Sequence, residues 1–469
     1  MKLIYGVKDK PKFGQLIVFA IQQLLAIMAA TLVVPVIING NIADFISNGD
    51  VAYEATTWMS PAAALFGAGV GTLVYLLFTK FRSPVFLGSS FAFLGSMAAA
   101  FAGAVSMAAG YAGLVIGAIF AGLVYVVIAI VVKIAGVNWI NKLMPAVVIG
   151  PTVAIIGLSL AGNAVGDLQS GGLKVDNISV AHPLICVLVG LITLVIVILC
   201  ATYGKKMTRL IPFILGILGG YAVAAIFTVI GNAAGIDALK VIDFTKITDL
   251  WANGVNLGTF LTLPDFTFVE AIKGVKEIDG AYIATLAVAY LPVAFVVFAE
   301  HIADHKNISS IIEKDLLEDP GLSRTLLGDG VGSMAGAFFG GCPNTTYGES
   351  VGCVAITGNA SVYTIATAAI LAMIISFIAP FVAFVNSIPS CVMGGVCMAL
   401  YGFIAVSGLK MVQKVDLNQN KNLFVVAAIL ISGIGGLTLN FGKVTITAVA
   451  CALILGIIVN LIVSKAKEE

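Results

Sequence analysis

Gly340-Gly341-Cys342-Pro343-Asn344-Thr345-Thr346-Tyr347-Gly348-Glu349-Ser350 starts like a turn and runs on into apolar sequence, and Ser83-Pro84-Val85-Phe86-Leu87-Gly88-Ser89-Ser90-Phe91-Ala92-Phe93 does the same earlier in the chain. Proline and β-branched residues disfavour a helix that begins further upstream. The expected form of each is a short extended stretch followed by a half-helix. Irregular backbone is tolerated at membrane depth only inside protein or beside a cavity. Two such stretches side by side can pair as a short antiparallel ribbon. The start of each half-helix then offers free N–H groups and a positive dipole end, suited to a carbonyl oxygen or an anion. Re-entrant loops or simply kinked spans would also account for these residues.

The membrane setting follows from composition. Of 469 residues, 60% are hydrophobic and 10% charged, against roughly 25% charged in a soluble domain. Mean hydropathy is +1.08. Fifty-one glycines suit close helix packing in lipid. A net charge of +1 points to no nucleic acid and no acidic partner. The seven cysteines form no CxxC pair and lie in apolar segments, so they read as small core residues; no metal, cofactor or catalytic set is expected. The first apolar stretch, Gln15 to Ile38, is too long for the core of a cleavable signal.

About 20 apolar residues cross a bilayer. Fourteen candidate spans follow, at 14–37, 59–80, 84–102, 110–134, 138–163, 180–202, 208–231, 281–303, 325–341, 344–358, 362–386, 388–411, 421–440 and 442–464. With both termini cytoplasmic, only Lys174, Lys240, Lys246, Lys273, Lys276 and Lys443 of the 25 Lys and Arg fall outside. That asymmetry follows the preference of cytoplasmic loops for cations. The longest external segment, 232–280, contains Trp251 and reads as a partly ordered cap. Cutting there leaves residues 1–231 and 281–469 with seven spans each. An odd number per half predicts an inverted repeat, in which the third span corresponds to the tenth. Those are the two interrupted ones, and a matched pair of broken segments is a sequence pointer to a transporter's binding site. The expected fold class is therefore an all-α polytopic membrane protein with short strands in spans 3 and 10.

Glu300 and Glu349 are the acids at membrane depth that stand out. A charged residue at the bilayer centre costs about 2.5–3.5 kcal/mol on insertion scales. No Lys or Arg in their own spans is placed to neutralise them, so both suit a group that takes up and releases a proton. Asp304 lies four residues after Glu300, on the same helix face. His305, five residues on, is about 140° round the helix. His301, Asp304 and His305 fit either a functional role or a solvated cytoplasmic helix end. His182, at the start of a span, reads as interfacial.

Glu300-His301-Ile302, Asp315-Leu316-Leu317 with Asp319-Pro320-Gly321-Leu322, and Pro343-Asn344-Thr345-Thr346-Tyr347-Gly348-Glu349 resemble the nucleobase–ascorbate transporter family, most closely its bacterial uracil permeases. Gly88-Ser89-Ser90-Phe91-Ala92-Phe93 and the stretch from Ile388-Pro389 to Tyr401-Gly402 match as well, so the resemblance runs in order through nearly the whole chain. It implies a core domain of spans 1–4 and 8–11 and a gate domain of spans 5–7 and 12–14, with uracil bound between them and cotransported with protons. It implies that Glu300 and Glu349 accept the ring N–H groups, and that the backbone N–H groups of Phe91 and Gly348 donate to its carbonyls. Ser90 and Tyr347 join the expected substrate-binding set. Glu300, Asp304 and Tyr401 form the expected proton-coupling set. A homodimer in the bacterial cytoplasmic membrane, in contact with lipid, is also implied.

Three positions depart from the family pattern. Ser350 stands where Asn is usual, Asp304 where the uracil type carries His, and Gln22-Gln23 where Gln-His is common. A purine or xanthine permease on the same scaffold is the main alternative. An anion carrier of this architecture would call for basic residues at the site. A membrane enzyme lacks any recognisable catalytic set in this sequence.

Overall fold

The computed structural model describes residues 3–136, 139, 145–175, 178–205, 207–252, 254–441 and 444–464. Lys2, Lys142, Lys206, Lys443, Lys465 and Lys467 of the charge pattern lie outside these. The described chain is built from helices: α1 (Phe13–Ser47), α2 (Pro61–Phe78), α3 (Leu94–Ala102), α4 (Met107–Ala135), α5 (Ala146–Ser159), α6 (Pro183–Tyr203), α7 (Pro212–Ala234), α8 (Gly280–Ile312), α9 (Leu322–Gly340), α10 (Gly348–Thr357), α11 (Val362–Ile375), α12 (Ser390–Val412), α13 (Asn420–Ile434) and α14 (Ala448–Val463). Among the described residues eight helical segments are long and apolar enough to cross a membrane, and four shorter apolar ones accompany them. The chain is a multi-pass membrane protein. On α6 the exposed side chains Leu184, Leu188, Leu191, Val195 and Ile198 recur every three or four residues, so one whole face is apolar and uncovered.

Local chemistry sets the helix ends. The Asp279 carboxylate accepts from the Tyr282 N–H at 2.7 Å and starts α8. Gly341, at φ +75°, ends α9 in a left-handed turn that a side chain would strain. Several helices outrun the expected spans. α1 has 35 residues and continues ten past Ile37; at 1.5 Å per residue it is about 52 Å long and must project beyond a hydrocarbon core of about 30 Å. α8 continues nine residues past Ala303. Spans eleven and thirteen are broken more than expected. α11 is followed by a separate helix, Ala379–Ser387, and after α13 a hairpin of Leu439–Phe441 with Val444–Ile446 precedes α14. The 232–280 segment carries short helices, including Thr267–Gly274 packed on α4.

The two interrupted segments behave as their composition predicts. Strand β1 (Leu87–Ser89) pairs antiparallel with β2 (Asn344–Thr346), in the register Leu87 to Thr346 and Ser89 to Asn344. Each runs into a half-helix, β1 through a single 3₁₀ turn at Phe91–Phe93 into α3, and β2 directly into α10. The ribbon is buried on every side. Glycine makes this possible. A Cβ at Gly88 would lie 2.3 Å from the Tyr347 ring, and one at Gly71 on α2 would lie 2.4 Å from the Asn344 amide. That amide donates to the Gly67 carbonyl at 3.1 Å and ties β2 to α2.

Helix packing sorts the chain into two bundles. α2 packs on α9, α4 on α8 and α9, and α11 on α1 and α2. In the other bundle α5 packs on α12 and α13, α6 on α7 and α12, and α13 on α14.

Candidate functional site

A cavity of about 350 Å³ lies between the bundles. One wall is Ala26 of α1, Glu300, Ala303, Asp304 and Asn307 of α8, and Gly348, Glu349 and Gly352 of α10. The facing wall includes Val153 of α5, Phe213 of α7, and Phe403, Ile404 and Ser407 of α12. Glu300 and Asp304 share this wall because four residues make slightly more than one helical turn. Glu349 arrives from the other half of the chain because the ribbon delivers the start of α10 to the same depth. Gly348 is exposed to the cavity, and as the first residue of α10 its N–H has no intrahelical acceptor. The cavity thus sets carboxylate acceptors and a backbone donor around one small space, under an apolar facing wall.

Second contacts hold these groups in place. The Thr346 hydroxyl of β2 donates to Asp304 Oδ2 at 2.8 Å. The Ser350 hydroxyl oxygen accepts from Gln23 Nε2 of α1 at 2.5 Å and from the Phe86 N–H at 3.0 Å. One side chain next to Glu349 therefore joins α10 to α1 and to the segment leading into β1. Arg209 is also on the cavity lining. Its guanidinium donates to the Thr202 carbonyl at 3.0 Å, and among the described residues no ion pair links it to the cavity acids.

A second cavity of about 880 Å³ shares Ala303, Asn307, Ser407 and Met411 with the first and is lined by Lys306, Lys410 and Lys414. A third, about 610 Å³, is lined by Asn39, Asp44, Trp58, Asn163, Asp167 and Lys174 and shares no residue with the first.

Comparison with known proteins places this geometry. The Xan_ur_permease model, described as "Permease family", matches residues 14–442. The chain belongs to this permease family. It is 36% identical to the uracil permease of Bacillus caldolyticus, over 98% of this chain and 95% of that one. It is 34% identical to the uracil permease of Bacillus subtilis (strain 168), over 100% of this chain and 97% of that one. Among solved structures, the transmembrane domain of the cyanobacterial bicarbonate transporter BicA aligns with a TM-score of 0.59 at 13% identity, covering 97% of this chain and 100% of that one. Murine Slc26a9, an anion transporter in the inward-facing state, aligns with a TM-score of 0.63 at 11% identity, covering 97% and 69%. At such low identity the likeness is one of fold. The permease is a transporter and not an enzyme.

The predicted site residues divide into two groups in this permease. Glu300, Asp304, Gly348 and Glu349 line the cavity together. Ser90, Phe91, Tyr347 and Tyr401 are not among its lining residues. Phe91 meets Tyr401 edge-on at 5.8 Å between ring centroids, so that pair spans the interface between the bundles. The Tyr347 hydroxyl donates to the Ser89 carbonyl at 2.7 Å. The Ser90 hydroxyl is buried with no hydrogen-bond partner among the described residues, and the Tyr401 hydroxyl is buried beside Cys397.

The structure excludes one alternative left open by the sequence and adds two features. His301, Asp304 and His305 are not a solvated helix end: both histidines are fully buried and Asp304 nearly so, with His301 against Asp329 and Thr325 of α9 and His305 against Tyr75 of α2. His182 does more than sit at an interface; its Nδ1 accepts from the Leu184 N–H at 3.2 Å and caps α6. A further acid was missed. Asp329 on α9 is wholly buried, with Oδ2 2.6 Å from His301 Nδ1. Its signal was a lone Asp in the glycine-rich run Gly328-Asp329-Gly330-Val331-Gly332, within an expected span.

Proposed function

We propose that this permease is a proton-coupled uracil symporter of the bacterial cytoplasmic membrane, working by alternating access. The observation that carries the proposal is the convergence of Glu300 and Glu349, from opposite halves of the chain, on one cavity together with the Gly348 N–H. Uracil is a flat ring with alternating N–H donors and carbonyl acceptors. Two carboxylates accept from the N–H groups and a helix-start N–H donates to a carbonyl. The uracil permeases to which the chain is 34–36% identical support the same substrate. Phe91, Ser90 and Tyr347 complete the site as the gate bundle closes on the ribbon, with Phe91 turning from the Tyr401 ring toward the substrate. Glu300 and Asp304, one turn apart and in no ion pair with a cation among the described residues, carry the coupled proton, and Tyr401 gates it.

The fourteen helices form two inverted seven-span repeats, residues 1–231 and 281–469 joined by the 232–280 cap. Helix packing supports this. The pairs α2 with α9, β1 with β2, and α5 with α12 join elements seven spans apart. Packing of α1 on α11 is matched by α8 on α4, and α5 on α13 by α12 on α6. The core domain is then α1–α4 with α8–α11, and the gate domain α5–α7 with α12–α14. With both termini cytoplasmic, Lys306, Lys410 and Lys414 mark the inner side. The connected cavities then describe an inward-open state, and the separate 610 Å³ cavity is the closed outer entrance. The homodimer packs through the gate domain, where α6 carries its uncovered apolar face.

Reconstituted protein tests the whole proposal. Radiolabelled uracil should accumulate in proteoliposomes when the outside is acidic, and an external pH electrode should record proton uptake with it. Unlabelled uracil should compete, and xanthine, hypoxanthine and urate should not. Competition by the purines with none by uracil would transfer the site to a purine substrate. Uracil uptake without proton movement would remove the coupling.

A further inference from the structure

Beside the cavity, on a face of α8 turned into the core, lies a polar cluster that the transport cycle above does not use: His301 and His305 of α8, Asp329 and Thr325 of α9, Tyr75 of α2 and Ser83, all fully buried. The Thr325 hydroxyl lies 3.0 Å from the Leu322 carbonyl and 3.0 Å from His301 Nε2. When its hydrogen goes to the carbonyl it accepts from His301, which then carries a hydrogen on Nε2. Its other nitrogen, Nδ1, is 2.6 Å from Asp329 Oδ2. Two bare acceptors do not approach so closely, so one proton lies between them. With Nε2–H already present, that proton is additional to a neutral imidazole and an ionised carboxylate.

The surroundings say where it sits. Asp329 Oδ1 is buried and meets no hydrogen-bond donor among the described residues, and a full charge on such an atom is expensive. The His305 ring stacks on His301 with centroids 4.0 Å apart, which opposes positive charge on both. The other groups facing the pair are Tyr75 of α2, Tyr125 of α4, whose ring centroid is 6.2 Å from that of His301, and Glu300 and Asp304 of α8. None is a cation. The neutral arrangement, a carboxylic acid donating to His301 Nδ1, is the one these contacts stabilise. His305 extends the cluster. Its Nδ1 donates to the His301 carbonyl at 2.8 Å, and its Nε2 is 2.7 Å from the Tyr75 hydroxyl, which is 2.7 Å from Ser83 Oγ.

We propose that the His301–Asp329 pair is a proton-binding site of this permease, distinct from the cavity carboxylates, that holds one proton on Asp329 in the inward-open state. The site rests on the proton-coupled reading for its role in transport, but its occupancy stands on the His301–Asp329 contact and on the burial of Asp329. Because α8 carries both His301 and the cavity acids Glu300 and Asp304, a movement of α8 against α9 changes both sites together.

Infrared difference spectroscopy of the purified, lipid-reconstituted full chain, titrated from neutral to alkaline pH, reads the occupancy directly. A protonated-carboxyl C=O band present at neutral pH should be lost in Asp329→Asn and retained in Glu300→Gln and in Glu349→Gln. Asp329→Asn keeps an N–H donor for His301 Nδ1, so a merely structural role would leave uptake and its pH profile unaltered. On our proposal the variant loses part of the pH dependence of uracil uptake. If Asp329→Asn does not fold, His301→Gln replaces it: its amide still accepts from Asp329 and donates to Thr325, and the band should shift rather than vanish. A wild-type spectrum without the band, or an Asp329→Asn protein that keeps both the band and the wild-type pH profile, overturns the proposal. Proton-free uptake in wild type with the Asp329 band intact would instead break the coupling reading and leave the site standing.

Discussion

The cavity and the loop between α8 and α9 both depend on carboxylates, and they use them in opposite ways. In the loop, Asp319 is held by Lys314 Nζ at 2.6 Å and Arg82 Nη1 at 2.6 Å, all three half-exposed at the surface. Hydrogen bonds from Lys314 and then Arg82 hold its carboxyl down at about 2. That acid is a fixed anion clasping the α2–β1 connection to the loop before α9. In the cavity, no ion pair links Glu300, Asp304 or Glu349 to a cation among the described residues, and the Thr346 hydroxyl donates to Asp304. An acid with two cation partners keeps its charge throughout the physiological range, whereas one held only by neutral donors is free to exchange a proton. On the proposed function, the difference separates a structural acid from one that works in transport.

Removing a cavity acid should have the largest effect. Glu300→Gln keeps the size of the side chain and should abolish proton-driven uracil uptake while the purified protein still melts cooperatively. A charge-assisted hydrogen bond contributes about 1.5–3 kcal/mol, so uracil binding should weaken by about ten- to a hundredfold by titration calorimetry. Uptake at the wild-type rate would place Glu300 with the structural acids. An intermediate effect is expected from Thr346→Val, which leaves the Asp304 carboxylate without its hydroxyl donor. With about 1 kcal/mol at stake, the pH profile of uptake should move and its maximum rate fall a few-fold; an unmoved profile would remove Asp304 from coupling. Asp319→Asn should change least. A depressed carboxyl adds stability that is complete above the unfolded value, about 4, and is lost as pH falls toward about 2. The variant should therefore lose the part of the acid-side decline in melting temperature that lies in that window, with uptake near neutral pH unchanged. Lost uptake would show that the clasp reaches the cavity.

Much of this was legible in one dimension because the bilayer constrains sequence strongly. Apolar length announces helices, and the turn residues of Gly340–Ser350 and Ser83–Phe93 announce breaks, since no water is present at that depth to satisfy a loose backbone. The ribbon and the convergence of Glu300 with Glu349 followed from those breaks. Helix ends were less legible. α1 and α8 run on past their apolar stretches, and hydropathy does not mark where a helix stops. His301 and His305 illustrate the same blindness: two polar residues near the end of an apolar run look solvated until α2 and α9 are seen to enclose them. Ser350 and Gln23 are separate departures from the family pattern in the sequence and a single hydrogen bond in space.

By itself the sequence determined a multi-pass helical membrane protein with two interrupted segments and acids at membrane depth, because hydrophobic length, backbone-breaking residues and unneutralised charge are each properties of short stretches. Only the tertiary structure decided which acids share a wall, which are clasped by cations, and that Asp329 meets His301 in the core. Those outcomes depend on contacts between residues far apart in the chain, and burial and hydrogen-bond partners exist only once the helices have packed.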